Sequence, residues 1–169
     1  WWVEAIILSA GTNVEWLVND LGILADPAES HAIAAQCATA DGVMYVPALM
    51  GLGTPYWDYG ARGTLLGLTR GSGRPQITRA VLEGVAQRGA DLLDAAVAGT
   101  GYEVPLVRID GGMSQNPTFV QALADATGRP VEVSRHTEAT TVGAAYLAGL
   151  AVGVWGSLDD IADAWRPDQ

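Results

Sequence analysis

The sequence predicts an α/β layered domain, and three observations carry that expectation. Short β-branched runs alternate with segments whose apolar residues recur at helical spacing. Apolar residues make up 49% of the chain against 17% charged, which suits a packed core and excludes a disordered chain. A length of 169 residues fits one domain, able to bury about 70% of its unfolded surface. No repeat, low-complexity tract or linker divides it, so residues 1–169 read as a single domain.

The elements follow in order. Residues 3–8, Val-Glu-Ala-Ile-Ile-Leu, read as a strand, broken by Ser9-Ala10-Gly11-Thr12. Val14, Leu17, Val18 and Leu21 then mark a helix that Gly22 stops. Asp26 is placed to cap a second helix, with Pro27 at its first position, Glu29 completing a capping box, and an end near Ala40. Residues 43–47 read as a strand closed by Pro47. Residues 51–63 are a Gly-rich loop with three aromatic rings, parts of which are expected to pack. A short strand over 64–68 precedes the longest helix, 75–98, with Ile77, Val81, Val85, Leu92 and Val97 as its buried stripe. Arg79, Glu83, Arg88 and Asp91 fall off that stripe. Strands at 106–110 and 131–133 bracket a helix over 116–127 that Gly128 stops; a helix over 138–152 follows, and Ser157 or Leu158 opens a short terminal helix ending before Pro167.

Charge and composition exclude whole classes of function. The net charge is -10, and all nine basic residues are Arg. Such a surface repels nucleic-acid backbones and anionic membranes, so neither is an expected partner. Without Lys there is no P-loop lysine and no Schiff-base chemistry. The only cysteine, Cys37, has no disulfide partner and reads as a buried, inert helix residue. His31 and His136 read as surface or helix-end residues, and no metal ligand set is expected. The opening Trp1-Trp2-Val3-Glu4 lacks the basic n-region of a signal peptide, and the chain reads as cytoplasmic and as beginning partway through something longer.

Three segments could carry chemistry. In Ile109-Asp110-Gly111-Gly112-Met113-Ser114-Gln115-Asn116 a strand ends in two glycines before a helix start. That geometry lets a ligand approach the backbone and offers it the helix N-terminus, although Asn116 as a plain helix cap explains the same residues. The spacing is not the dinucleotide fingerprint. Ser9-Ala10-Gly11-Thr12-Asn13-Val14-Glu15 is a second strand–turn–helix, equally readable as close packing. The aromatic loop holds Asp58 and Arg62, which could bind a polyol or phosphate, or pair as a structural clamp; the clamp is the expectation.

Together these segments resemble a known family. Pro47-Ala48-Leu49-Met50-Gly51-Leu52-Gly53-Thr54-Pro55-Tyr56-Trp57-Asp58, then Ala61-Arg62-Gly63 and Gly67-Leu68-Thr69-Arg70-Gly71, look like the C-terminal domain of the FGGY carbohydrate kinases in their glycerol-using branch. The signature Gly63-x-Leu65-x-Gly67-Leu68, followed after seven residues by Gln76-Ile77-x-x-Ala80-Val81-Leu82-Glu83, fits as well. So do Arg108-Ile109-Asp110-Gly111-Gly112 and the run Thr140 to Gly153.

The resemblance implies a ribonuclease H-like (actin/hexokinase-like ATPase) domain, a mixed sheet flanked by helices. It implies ATP or ADP with magnesium as cofactor. Gly111, Gly112 and Asn116 would meet the adenosine, and Gly11 the phosphates. Position 15, usually Gln in such kinases, is Glu15 here, a departure that sets a carboxylate near phosphate. Glycerol or a related polyol would be bound through an N-terminal domain that this chain lacks. That missing part would also supply the catalytic base and most magnesium ligands, so no catalytic residue is assigned and the isolated chain is expected to be inactive. The alternatives are a kinase of the same family acting on xylulose, ribulose or a sugar acid, and a non-catalytic nucleotide-binding module. A face left uncovered by the missing half would favour homo-oligomers.

Overall fold

The computed structural model describes residues 3–168. Its elements are α1 (Thr12–Asn19), a single 3₁₀ turn (Pro27–Glu29), α2 (Ser30–Ala34), β1 (Met44–Val46), β2 (Thr64–Leu66), α3 (Arg74–Thr100), β3 (Val107–Ile109), a second 3₁₀ turn (Gly112–Gln115), α4 (Pro117–Thr127), β4 (Val131–Val133), α5 (Ala139–Ala151) and α6 (Leu158–Ala164). Helix and strand mix along the chain as expected of an α/β domain, alternating strictly from β2 to α5. The sheet comes as two ladders: β1 pairs antiparallel with β2, Met44 opposite Leu66, and β3 pairs parallel with β4, Val107 opposite Val131.

Two expected elements are corrected. Residues 3–8 form no strand. Ile6 instead exchanges bonds with one residue of the aromatic loop: its N–H donates to Thr54 Oγ1 at 3.0 Å, and its carbonyl accepts from the Thr54 N–H at 3.0 Å. The apolar run has the composition of a strand, but no neighbour extends a ladder along it. The second helix is also shorter than expected. Asp26 caps as predicted, its Oδ1 accepting from the Ala28 N–H at 2.7 Å, yet α2 stops at Ala34 and turns follow to Ala40. Beyond it the Cys37 carbonyl accepts from Arg79 Nη1 of α3 at 2.8 Å, a tertiary bond in place of another helical turn.

α3 is the spine. It packs on α1, α2, α4 and β1, and its Val81 and Leu82 are fully buried together with Leu17 of α1. Val85 is buried as expected, while Ile77, Leu92 and Val97 are only half-buried. Gly84 allows the strand to lie against this helix, since a Cβ there would stand 2.3 Å from the Tyr45 carbonyl oxygen. Arg88, expected off the buried stripe, is buried. Its guanidinium is tolerated there because it is paired: Nη1 donates to Asp91 Oδ2 at 2.7 Å and Nη2 to the Thr54 carbonyl at 2.6 Å, with the Tyr56 ring 5.3 Å away.

Parts of the aromatic loop pack as expected, with Gly51 and Gly53 buried, but its rings do not. Tyr56, Trp57 and Tyr59 are all exposed, and the expected clamp is corrected: Asp58 and Arg62 do not pair with each other. Asp58 Oδ1 accepts from the N–H groups of Gly60 (2.8 Å) and Ala61 (3.1 Å). Arg62 Nη1 donates to the carbonyls of Tyr59 (3.0 Å) and Ala61 (2.8 Å). Each side chain satisfies the loop's own backbone, a local demand that precedes any pairing between them.

The chain's last third is looser. α4 buries only Leu123, and no residue of α5 or α6 is buried. The C-terminal segment returns along β4, where the Asp168 N–H donates to the Val133 carbonyl at 2.8 Å. The Arg108 guanidinium of β3 lies 4.2 Å from the Trp165 ring centroid.

Candidate nucleotide cleft

The turn before α1 is fixed from within. Asn13, fully buried, donates through Nδ2 to the carbonyls of Ser9 (2.8 Å) and Ala10 (2.9 Å). Its Oδ1 accepts from the Tyr45 hydroxyl at 2.8 Å, and Ser9 and Thr12 share a hydroxyl contact of 2.7 Å. Burial pushes the Tyr45 phenol up to about 12, so the hydroxyl stays a donor at any physiological pH. The consequence is a rigid helix start at Gly11, whose end carries amide groups and the positive end of the helix dipole.

The second turn is fixed as firmly. Gly111 holds φ +83°, a conformation that favours glycine, and its carbonyl accepts from both the N–H (3.1 Å) and the Oγ (2.7 Å) of Ser114. Gly112 follows with nothing within 4 Å of where a Cβ would lie. Asn116 caps α4, its Oδ1 accepting from the Phe119 N–H at 3.1 Å, with Pro117 at the first helical position. Its Nδ2 donates to Ser30 Oγ at 2.9 Å across 86 residues of sequence, and Ser30 Oγ donates in turn to the Pro27 carbonyl at 2.6 Å. The Asn116 amide therefore joins three elements.

Between these turns lies a cleft of about 430 Å³. Gly11, Glu15, Gly112 and Asn116 all line it, so four of the five residues singled out in the sequence meet in one place. Gly111 sets the turn beside them. The opposite wall is Asp26, Pro27, Ala28, Ser30 and His31, with Met113 and Gln115 beside Gly112. Sequence reasoning missed that wall. Its only signal was the Asp26-Pro27 cap, which predicts a helix start and says nothing about what the start faces. His31, expected at the surface or at a helix end, is the second residue of α2 and half-buried, and its Nδ1 lies 2.9 Å from Thr118 Oγ1 of α4. Cys37 lies in the turns beyond α2 and is half-exposed, where a buried helix position was expected; burial still pushes its thiol up.

The cleft's charges are Glu15 and Asp26; none of the nine Arg residues lines it. A phosphate entering it meets backbone donors and a helix end, and its charge must be offset from elsewhere. Among the described residues no group of three His, Cys, Asp or Glu side chains converges to hold a metal, so these residues do not fit a self-contained magnesium site. Nor is any described helix long and apolar enough to cross a membrane.

Comparison with known proteins gives this geometry its context. The C-terminal domain of the FGGY family of carbohydrate kinases matches residues 1–152. Glycerol kinase from Deinococcus radiodurans is 47% identical over 167 residues, covering 99% of this chain and 33% of that one. The glycerol kinase of Bordetella parapertussis is 46% identical over the same share. This chain thus spans about a third of the length of the curated relatives it matches. Among solved structures, Plasmodium falciparum glycerol kinase with ADP aligns over 94% of this chain and 32% of its own, at TM-score 0.83 and 38% identity. Xylulose kinase from Lactobacillus acidophilus aligns over the same shares at TM-score 0.75 and 26% identity. The chain belongs to the FGGY family of carbohydrate kinases and corresponds to its C-terminal domain.

Proposed function

We propose that this chain is the nucleotide-holding part of an ATP-dependent glycerol kinase. The observation that carries the reading is the convergence of Gly11, Glu15, Gly112 and Asn116 on one cleft, in a domain 47% identical to a glycerol kinase. The parent protein would transfer the γ-phosphate of ATP to a glycerol hydroxyl, in the cytoplasm. Phosphoryl transfer rests mainly on positioning and charge stabilisation, and this chain's share is positioning.

The adenosine sits between the Gly112 turn and the Asp26–His31 wall. Asn116 keeps the two walls together by bonding both α4 and Ser30. The phosphates run toward Gly11 and the α1 N-terminus, where amides rather than Lys receive them. Magnesium bound to those phosphates would offset the Glu15 carboxylate, and the remaining ligands, the base and the polyol contacts belong to the upstream domain. The exposed rings Tyr56, Trp57 and Tyr59 support self-association of the isolated chain.

Calorimetric titration with ADP and magnesium tests the reading, with Gly112→Leu as the informative variant. Its side chain enters open space in the cleft, so about tenfold weaker ADP binding is expected with unchanged thermal stability. Equal affinity in the variant would place the nucleotide elsewhere. Glu15→Gln separates the kinase from a degenerate nucleotide module: a large gain in affinity favours the module.

A further inference from the structure

A second and larger cavity lies on the other side of α2. This groove, of about 890 Å³, is walled by α2, α3, α4 and the β1–β2 ladder, and His31 is the residue it shares with the nucleotide cleft. Its volume falls in the range of small-molecule sites, roughly 300–1,000 Å³. The lining is mainly apolar. Small side chains such as Ala38, Ala80 and Ala122 leave the space open, and Met44 and Leu66, cross-strand neighbours, rise 61% and 49% exposed at its edge.

The polar groups of the groove are unequal in what they still offer. Arg79 is engaged: Nε donates to Glu83 Oε1 at 2.7 Å and Nη1 to the Cys37 carbonyl at 2.8 Å. The carboxylates have capacity left. Among the described residues Glu83 accepts that one bond, and Asp125 accepts one from Gln121 Nε2 at 2.8 Å, although an ionised carboxylate has about four acceptor sites. Two carboxylates against one spent guanidinium leave the groove acidic, on a chain of net charge -10. An apolar hollow with unfilled acceptors complements a molecule that is apolar over most of its surface and carries a cationic donor.

We propose that this groove is a second ligand site, for a small amphipathic amine. It stands independently of the nucleotide reading. Cys37, the chain's only cysteine, lines the groove and serves as its reporter.

The test uses dansylcadaverine, a fluorescent apolar amine, on the 169-residue chain. Saturable fluorescence enhancement is expected, and saturating dye should slow maleimide labelling of Cys37 about tenfold. Ala122→Trp, which fills the hollow, should weaken binding about tenfold with the far-UV spectrum unchanged. The anionic dye anilinonaphthalene sulfonate should leave the labelling rate unaltered. Dye binding without protection of Cys37, or equal protection by the anionic dye, would overturn the proposal. So would protection that grows with chain concentration in the absence of dye, because a second copy would then occupy the groove. If Ala122→Trp fails to fold, protection of Cys37 in the unaltered chain decides the question.

Discussion

The first half of α3 and helix α5 are built from similar residues and end in opposite states. Leu17, Val81 and Leu82 are fully buried, whereas α5, with Val142, Tyr146, Leu147 and Leu150 among its thirteen residues, buries none of them. Both stretches are rich in Ala, Leu and Val. The first meets packing partners on several sides, from α1, α2 and β1; the second packs Tyr146 edge-on against Trp155 at 5.8 Å but closes no core. Apolar content sets what a segment can bury, and neighbours decide what it does bury.

The largest effect that would test this contrast is at Leu82. Leu82→Ala should cost about 3–4 kcal/mol in denaturant unfolding, through lost transfer energy and the cavity left behind. Leu147→Ala, at a position 61% exposed, should change stability by about 0.5 kcal/mol or less. Comparable costs at the two positions would mean that α5 is packed in solution, and the contrast would fail.

Tyr45 sharpens the same contrast through pH. Its phenol titrates near 12 in the folded chain, held up by burial, against about 10 unfolded. The folded state therefore retains the proton longer than the unfolded state does. The stability this confers is intact below pH 10 and is lost as pH rises toward 12, a decline of about 2–3 kcal/mol. Tyr45→Phe should abolish most of that decline while costing about 1 kcal/mol at neutral pH, by removing the bond to Asn13. Equal alkaline sensitivity in the variant would place the titrating group elsewhere.

Local chemistry made most of the fold legible in the sequence. Asp26 and Asn116 cap where their side chains predict, Gly128 stops α4, the terminal helix opens at Ser157–Leu158, and residues 131–133 form the strand that their pattern indicates. The Asp58–Arg62 clamp failed for a local reason, the demand of the loop's own backbone, while the other failures turned on tertiary partners. Residues 3–8 needed a strand to pair with, α2 lost a carbonyl to Arg79, and Arg88 was drawn inward by Thr54 and Asp91. The cleft divides in the same way. Its glycine turns could be read from short segments, but the Asp26–His31 wall is tied to them through the Ser30–Asn116 and His31–Thr118 bonds, which span 86 and 87 residues and which no local pattern encodes.

The close approach of Gly84 to β1 also limits how this helix can be redesigned. Replacing helical glycines by alanine is an ordinary route to a stiffer helix, gaining about 1 kcal/mol at an exposed site. On α3 that route divides by position. Gly99 has nothing within 4 Å of its missing Cβ and can be replaced for gain. At Gly84 the same methyl would meet a strand backbone that has nowhere to retreat, and the engineer who treats the two alike will separate β1 from the helix that supports it.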